Sequence, residues 1–259
     1  MTEPMMDVYG TVCVTVLGAV VGSFLNVCIY RIPAGISIVR PSSHCPLCQT
    51  PIRFYDNVPV LSFLMLGGRC RHCRAVISLR YPVIELLTAL ASLLLFLRYG
   101  VSWLYLCTFL FTAALIVVTF IDLDHQIIPD VITLPGIPLF ALASIFLLKL
   151  PPLDSLLGIL IGGGSLYLVG LGYELLKKRE GMGGGDIKLF AMIGGFLGWK
   201  SLIFVLLVSS FLGAIIGIAV IVYRRGDMRY AIPFGPFLSI AAVSYLFWGE
   251  SFMRYLLLR

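Results

Sequence analysis

Gly181-Met182-Gly183-Gly184-Gly185-Asp186-Ile187-Lys188 sets a single carboxylate at the mouth of an apolar segment. Burying an ionisable group at membrane depth costs about 2.5–3.5 kcal/mol for Asp at a helix centre, so such a residue reads as functional. The glycines beside it leave room for a second extended backbone to approach. A second acidic cluster, Asp122-Leu123-Asp124, also ends an apolar segment. Two carboxylates at two such ends point to an aspartic protease working at a membrane surface.

Working outward, the chain has 259 residues, of which 59% are hydrophobic and 12% charged. Soluble domains carry about 25% charged residues, so this is a polytopic membrane protein. Its net charge of +6 then reports topology and not nucleic-acid binding. The first apolar run follows Met-Thr-Glu-Pro, lacks a basic flank and is long enough to span, so no cleavable signal peptide is expected. About 20 apolar residues cross a bilayer. That scale predicts an all-α chain with about eight spans, near 8–30, 82–98, 101–121, 131–149, 153–175, 187–198, 201–223 and 235–256. The sixth is short and glycine-rich, as a tilted or partial span would be. Between the first two lies a polar insert of about fifty residues.

Basic residues set the orientation. The insert carries seven arginines from Arg31 to Arg80. Lys177, Lys178, Arg179 and Lys188 flank the fifth connection, and Arg224, Arg225 and Arg229 the seventh. With eight alternating spans these fall on one side, so the insert is predicted to be cytoplasmic and both termini external. The same alternation sets Asp122 and Asp186 at the cytoplasmic face. Gly18 and Gly22, Gly158 and Gly162, and Gly213 and Gly217 form G-x-x-x-G patterns, which read as helix-packing sites. No internal repeat is evident.

Cys13, Cys28 and Cys107 lie in apolar runs and read as small buried hydrophobes. Cys45, Cys48, Cys70 and Cys73 form two C-x-x-C pairs in the polar insert. Such pairs bind zinc, and four thiolates close a tetrahedral shell, so the metal is structural. A reducing cytoplasm keeps these thiols available.

The acidic candidates are Asp122, Asp124, Asp130, Asp186 and Glu174. Peptide hydrolysis without a covalent intermediate needs two carboxyls sharing one water and one proton. Asp122 and Asp124 point in different directions if their helix continues, so one at most faces Asp186. Asp130 follows Pro129 and reads as a helix N-cap. His125 is available as a proton carrier, although a lone interfacial His is more often structural. The glycine run is no dinucleotide fingerprint, because Asp186 occupies its last glycine position. Serine elbows and helical His pairs are absent.

These motifs resemble the type IV prepilin peptidases, the prepilin leader peptidase/N-methyltransferase family of G-x-G-D aspartyl proteases. The resemblance runs from Gly22-Ser23-Phe24-Leu25-Asn26 through both cysteine pairs, Tyr55-Asp56-Asn57, Arg80-Tyr81-Pro82 with Glu85, Asp122-Leu123-Asp124-His125, and Gly181 to Lys188. Phe54 and Ile127-Ile128 depart from it conservatively. It implies that Asp122 and Asp186 are the catalytic pair, with Gly183, Gly185 and Lys188 in the active-site loop. It implies cleavage of leader peptides from prepilins and pseudopilins at the cytoplasmic side of the inner membrane. It also implies methylation of the new N-terminal residue, usually Phe, from S-adenosylmethionine. The chain then divides into a first span (1–30), a four-cysteine zinc insert linked to methyl transfer (31–81) and a membrane peptidase domain (82–259). The implied cofactors are one structural Zn2+ and S-adenosylmethionine. Asp56, Asn57, Arg80 and Glu85 either contact the methyl donor or brace the zinc loop. The implied partners are the substrates and lipid, without nucleic acid. Competing readings are a zinc-bearing assembly factor of a pilus or secretion machine and a solute transporter, although transporters carry their acids at mid-membrane.

Overall fold

The computed structural model describes residues 3–177, 183–223 and 232–257. Lys178, Arg179, Gly181, Met182, Arg224, Arg225 and Arg229 lie outside the described residues. The helices are α1 (Glu3–Arg31), α2 (Leu61–Met65), α3 (Arg80–Tyr99), α4 (Trp103–His125), α5 (Asp130–Leu147), α6 (Pro152–Lys177), α7 (Gly184–Leu197), α8 (Ser201–Tyr223) and α9 (Gly235–Leu257), with a 3-10 turn at Phe54–Asn57. Among the described residues there is no strand, only two isolated bridges in the insert. The all-α, membrane-spanning class is therefore as the composition requires.

Among the described residues six helices are long and apolar enough to cross a membrane: the Val8–Arg31 part of α1, then α3, α4, α5, α6 and α8. The expected count of eight is not reached by this measure. α7 has 14 residues, about 21 Å of helix against a hydrocarbon core of about 30 Å. α9 has 23 residues, and among the described residues its apolar stretch is Gly235–Gly249.

The chain forms two compact units, Met1–Val117 and Val118–Arg259. In the first, α1 and α3 touch backbone to backbone. A Cβ on Gly18 would sit 2.8 Å from the Ala89 Cα, and one on Gly22 would sit 2.7 Å from the Glu85 Cα. Small residues permit that approach, and polar groups then fasten it. Asn26 donates to the carbonyls of Gly22 and Tyr81, both at 3.2 Å. Ser92 donates to the Val14 carbonyl at 2.7 Å and pairs with the Tyr105 hydroxyl of α4 at 2.7 Å.

In the second unit, α7 is the central helix. Every residue from Leu189 to Phe196 is buried, the pattern of a helix enclosed on all sides. α6 meets it through Gly158 and Gly162, where an added Cβ would lie 2.0 Å from the Gly194 carbonyl oxygen and 2.7 Å from that of Phe190. Ser144 of α5 and Ser155 of α6 both donate to the Gly195 carbonyl, at 3.0 and 2.7 Å. Gly213 and Gly217 differ from the other glycine pairs. Their neighbours are side chains at ordinary contact, Phe237 at 3.5 Å and Ile232 at 3.8 Å. Among the described residues this pair marks no backbone approach, because aromatic and branched side chains fill the space. Cys28 and Cys107 are buried as expected, but Cys13 is exposed on α1.

Candidate active site and metal centre

Asp122 lies near the C-terminal end of α4 and is only 5% exposed. Its Oδ2 accepts a hydrogen bond from the Gly235 N–H at 3.0 Å, so it caps the first turn of α9. Asp124, two residues on, is exposed, as are His125 and Glu174. The divergence of Asp122 and Asp124 is what helical geometry requires at that spacing.

Asp186 stands in the first turn of α7, its N–H donating to the Gly183 carbonyl at 3.2 Å. The two carboxylates are near enough for the charge of Asp122 to act on Asp186. Ile128 explains how the segments are brought together. A Cβ on Gly185 would lie 2.7 Å from the Ile128 Cβ, and one on Gly235 would lie 3.1 Å from the Ile128 Cδ1 and 2.6 Å from the Asp122 Oδ2. One isoleucine thus seats the starts of both α7 and α9. Asp186 Oδ1 is buried and has no hydrogen-bond partner among the described residues. A buried acceptor left unpaired costs about 1–3 kcal/mol, which marks a site for function.

The glycines divide by role. Gly184 faces open space, and Gly183 would meet only Asp186 Oδ2, at 3.8 Å. Gly185 is filled by Ile128 and is a packing position. Lys188 Nζ binds both oxygens of Asp130, at 2.7 and 2.8 Å. Asp130 is not the N-cap that its place after Pro129 predicts. Pro129 holds the cap position, Asp130 begins α5, no side-chain cap forms, and the carboxylate goes to Lys188. Sequence reasoning missed Gly235. The signal was the Pro233-Phe234-Gly235-Pro236 run before an apolar segment, the composition of a tight helix entry.

In the first unit, the sulfurs of Cys45, Cys48, Cys70 and Cys73 lie within 4.8 Å of one another. Cys45 and Cys73 are 3.8 Å apart, and Cys48 and Cys70 4.0 Å. A tetrahedral zinc with Zn–S bonds of about 2.3 Å spaces its sulfurs about 3.8 Å apart. The four thiols therefore fit that ion, and no pair is a disulfide.

Each C-x-x-C pair sits on the same turn. Cys45 N–H bonds the Thr50 carbonyl and Gln49 N–H the Cys45 carbonyl; Cys70 N–H bonds the Ala75 carbonyl and Arg74 N–H the Cys70 carbonyl. Gln49 and Arg74, each following the second cysteine of its pair, have φ of 56° and 58°. The two C-x-x-C pairs thus share one backbone turn. Hydrogen bonds from Thr50, side chain first and then backbone, bring the Cys48 thiol down to about 6. Backbone N–H groups of Cys73 and His72 lower that of Cys70. Each turn thus favours thiolate, the form that binds metal, at one cysteine, Cys48 in the first and Cys70 in the second, while the Cys73 thiol is pushed up to about 11.

Asp56 grips Arg71 of the second turn through Nε at 2.9 Å and a terminal nitrogen at 2.5 Å, and Arg71 holds its carboxyl below the usual range. Glu85 is buried on α3 and accepts from the Val60 N–H at 2.7 Å. Both residues brace the insert. Asn57 lines a cavity beside α1.

Residues 16–99 match the model of the bacterial peptidase A24 N-terminal domain, and 109–218 that of the type IV leader peptidase family. A prepilin leader peptidase/N-methyltransferase of Pseudomonas aeruginosa is 38% identical over 93% of this chain and 91% of its own length. One of Neisseria gonorrhoeae is 40% identical over 87% and 86%. A type 4 prepilin-like proteins leader peptide-processing enzyme of Escherichia coli is 39% identical over 91% and 93%. No solved structure matches the chain. With both halves matched and relatives aligned over most of their length, the chain belongs to the type IV leader peptidase family.

Proposed function

We propose that this chain is a bifunctional membrane enzyme. It cleaves the leader from prepilins and prepilin-like proteins, then methylates the newly exposed N-terminal residue. The observation that carries the peptidase reading is the convergence of two carboxyls, one tied to a backbone N–H and the other with a buried, unpaired oxygen.

Asp122 and Asp186 form the catalytic pair. One carboxylate takes a proton from the attacking water while the other, protonated, donates to the scissile carbonyl oxygen. The roles belong to the pair, since like charges at short range share one proton. Gly235 N–H fixes the orientation of Asp122. Gly183 and Gly184 leave the backbone beside Asp186 open to an extended substrate. Gly185 seats α7 on Ile128, and Lys188 braces α5 against α7 through Asp130. An apolar substrate helix in the bilayer would present its cytoplasmic end, with the basic leader, to the acidic pair. This orientation in an inner membrane is supported by the arginine-rich insert.

Cys45, Cys48, Cys70 and Cys73 hold one Zn2+ whose shell is closed, so it orders the insert and takes no part in hydrolysis. S-adenosylmethionine supplies a methyl group already activated by its sulfonium. The division of labour follows the chain: 31–81 serves methyl transfer and 82–259 peptide cleavage, with 1–30 as the first span. Methylation follows cleavage because the accepting amine is created by cleavage, and a partly desolvated site favours its neutral, nucleophilic form.

The test is purified protein with a prepilin, both products followed by mass spectrometry. Asp122→Asn and Asp186→Asn are each expected to slow cleavage about a hundredfold or more, while Asp124→Asn retains it. Normal processing by Asp122→Asn overturns the assignment of the pair.

A further inference from the structure

Beside α1, within the first unit, lies a cavity of about 340 Å3 lined by α1, the loop of residues 38–43, Asn57 and Pro59. That is within the range of about 300–1,000 Å3 for small-molecule sites. Its walls are unusual for the end of a membrane span. Arg31 lines it while only 7% exposed. The guanidinium donates to the Ser37 carbonyl at 2.9 Å, and no carboxylate pairs with it among the described residues. A buried cation without a counter-charge is costly, and an anionic group supplied by a ligand relieves that cost.

A carboxyl stands behind another wall. Ser23 lines the cavity and is hydrogen-bonded to the buried carboxyl of Glu85. The remaining lining combines apolar side chains, among them Phe24, Val39 and Pro41, with the polar Ser42, Ser43 and Asn57. The shape is also fixed in advance. Gly22 locks α1 onto α3 at Glu85, and Glu85 holds the Val60 N–H, which keeps Asn57 and Pro59 in place. Val60 adopts a φ of 61° there, a conformation rare for a β-branched residue.

We propose that this cavity binds S-adenosylmethionine, with Arg31 receiving its carboxylate, the Ser23–Glu85 wall facing its cationic groups and the apolar lining taking its adenine. The inference rests on the methyltransferase reading above and gives it a location.

The experiment measures equilibrium binding of S-adenosylhomocysteine, the unreactive product, to the purified full chain in nanodiscs by calorimetry. Two variants are compared with wild type. Arg31→Gln removes the charge, and Val39→Trp fills the cavity from a residue that is 77% exposed and so spares the packing. Zinc content and elution volume establish that each is folded. Each is expected to bind about tenfold more weakly or worse, the loss for one charge-assisted contact or a blocked site. If folded variants bind within about twofold of wild type, the cavity is not the donor site. If native mass spectrometry finds a phospholipid retained by wild type, lost in Arg31→Gln and undisturbed by S-adenosylhomocysteine, the cavity is a headgroup site and the proposal falls. Wild type that neither binds S-adenosylhomocysteine nor yields methylated product refutes the methyltransferase reading itself.

Discussion

The four cysteines reach one another through two short turns, whereas Asp122 and Asp186 meet through helices far apart in the chain. In the insert, each C-x-x-C pair is positioned by hydrogen bonds between residues at most five apart, and one ion would join the two turns. Around the carboxylates no such local rule operates. Asp122 is held by an N–H from residue 235, and the start of α7 is seated by a side chain from residue 128. The insert concentrates its energy in one set of bonds. The carboxylate site spreads its energy over many contacts of backbone, glycine and isoleucine. These two modes of assembly should fail differently.

The largest effect is expected at the metal. Structural zinc binding is worth about 10–16 kcal/mol of apparent free energy in small zinc modules, and that energy is folding energy. Cys70→Ser, or a four-Ser variant, should lose the zinc found by elemental analysis and make residues 38–77 sensitive to proteases. The membrane helices should remain, by circular dichroism. Methylation should then fall further than cleavage. A metal-free wild type with a fully protected insert would show that the turns need no ion.

That asymmetry also explains what was legible in the sequence. Cys45, Cys48, Cys70 and Cys73 announce themselves because their chemistry requires a fixed local spacing. The apolar runs were equally clear, since a span needs only length and composition. Asp122 and Asp186 stood out as acids at the ends of apolar runs, but their pairing rested on charge alternation and family resemblance. Gly235 carried no chemistry in its own side chain, and its meaning lies in the oxygen of Asp122 next to it. α7, the short sixth segment, is among the expected spans but has only 14 residues, for a related reason. A short helix buried on every side is as hydrophobic as a lipid-facing one, and hydropathy does not distinguish protein from lipid as the surrounding medium.

A smaller effect is expected at Gly235. Alanine there brings a methyl to 2.6 Å from the Asp122 Oδ2 and 3.1 Å from the Ile128 Cδ1. The Asp122 side chain must turn away, and a displacement of about 1 Å in a reacting group costs about a hundredfold in rate. Cleavage by Gly235→Ala should drop by roughly that factor, with zinc content and methylation of a pre-cleaved substrate unchanged. The separation of the two readouts is the point. Equal loss of both would mean that the carboxylate site and the insert are not independently assembled.

The smallest effect is expected where the carboxylate site resembles the insert in being held by charge. Lys188 and Asp130 form a two-toothed ion pair joining α7 to α5, but Lys188 is 36% exposed and Asp130 54%. Exposed pairs contribute about 0.2–1 kcal/mol, because water screens them and two long side chains must be ordered. Lys188→Gln and Asp130→Asn should each lower stability by less than about 1 kcal/mol. The double variant should be no worse than the weaker single, since either change already breaks the pair. Cleavage should fall by the same modest factor in all three, as α7 loses one brace among the many that Gly158, Gly162, Ser144 and Ser155 provide. The informative exception would be Lys188→Gln losing cleavage as completely as Asp186→Asn while Asp130→Asn keeps it. The ammonium would then be acting on the substrate, and Asp130 would merely hold it between turnovers.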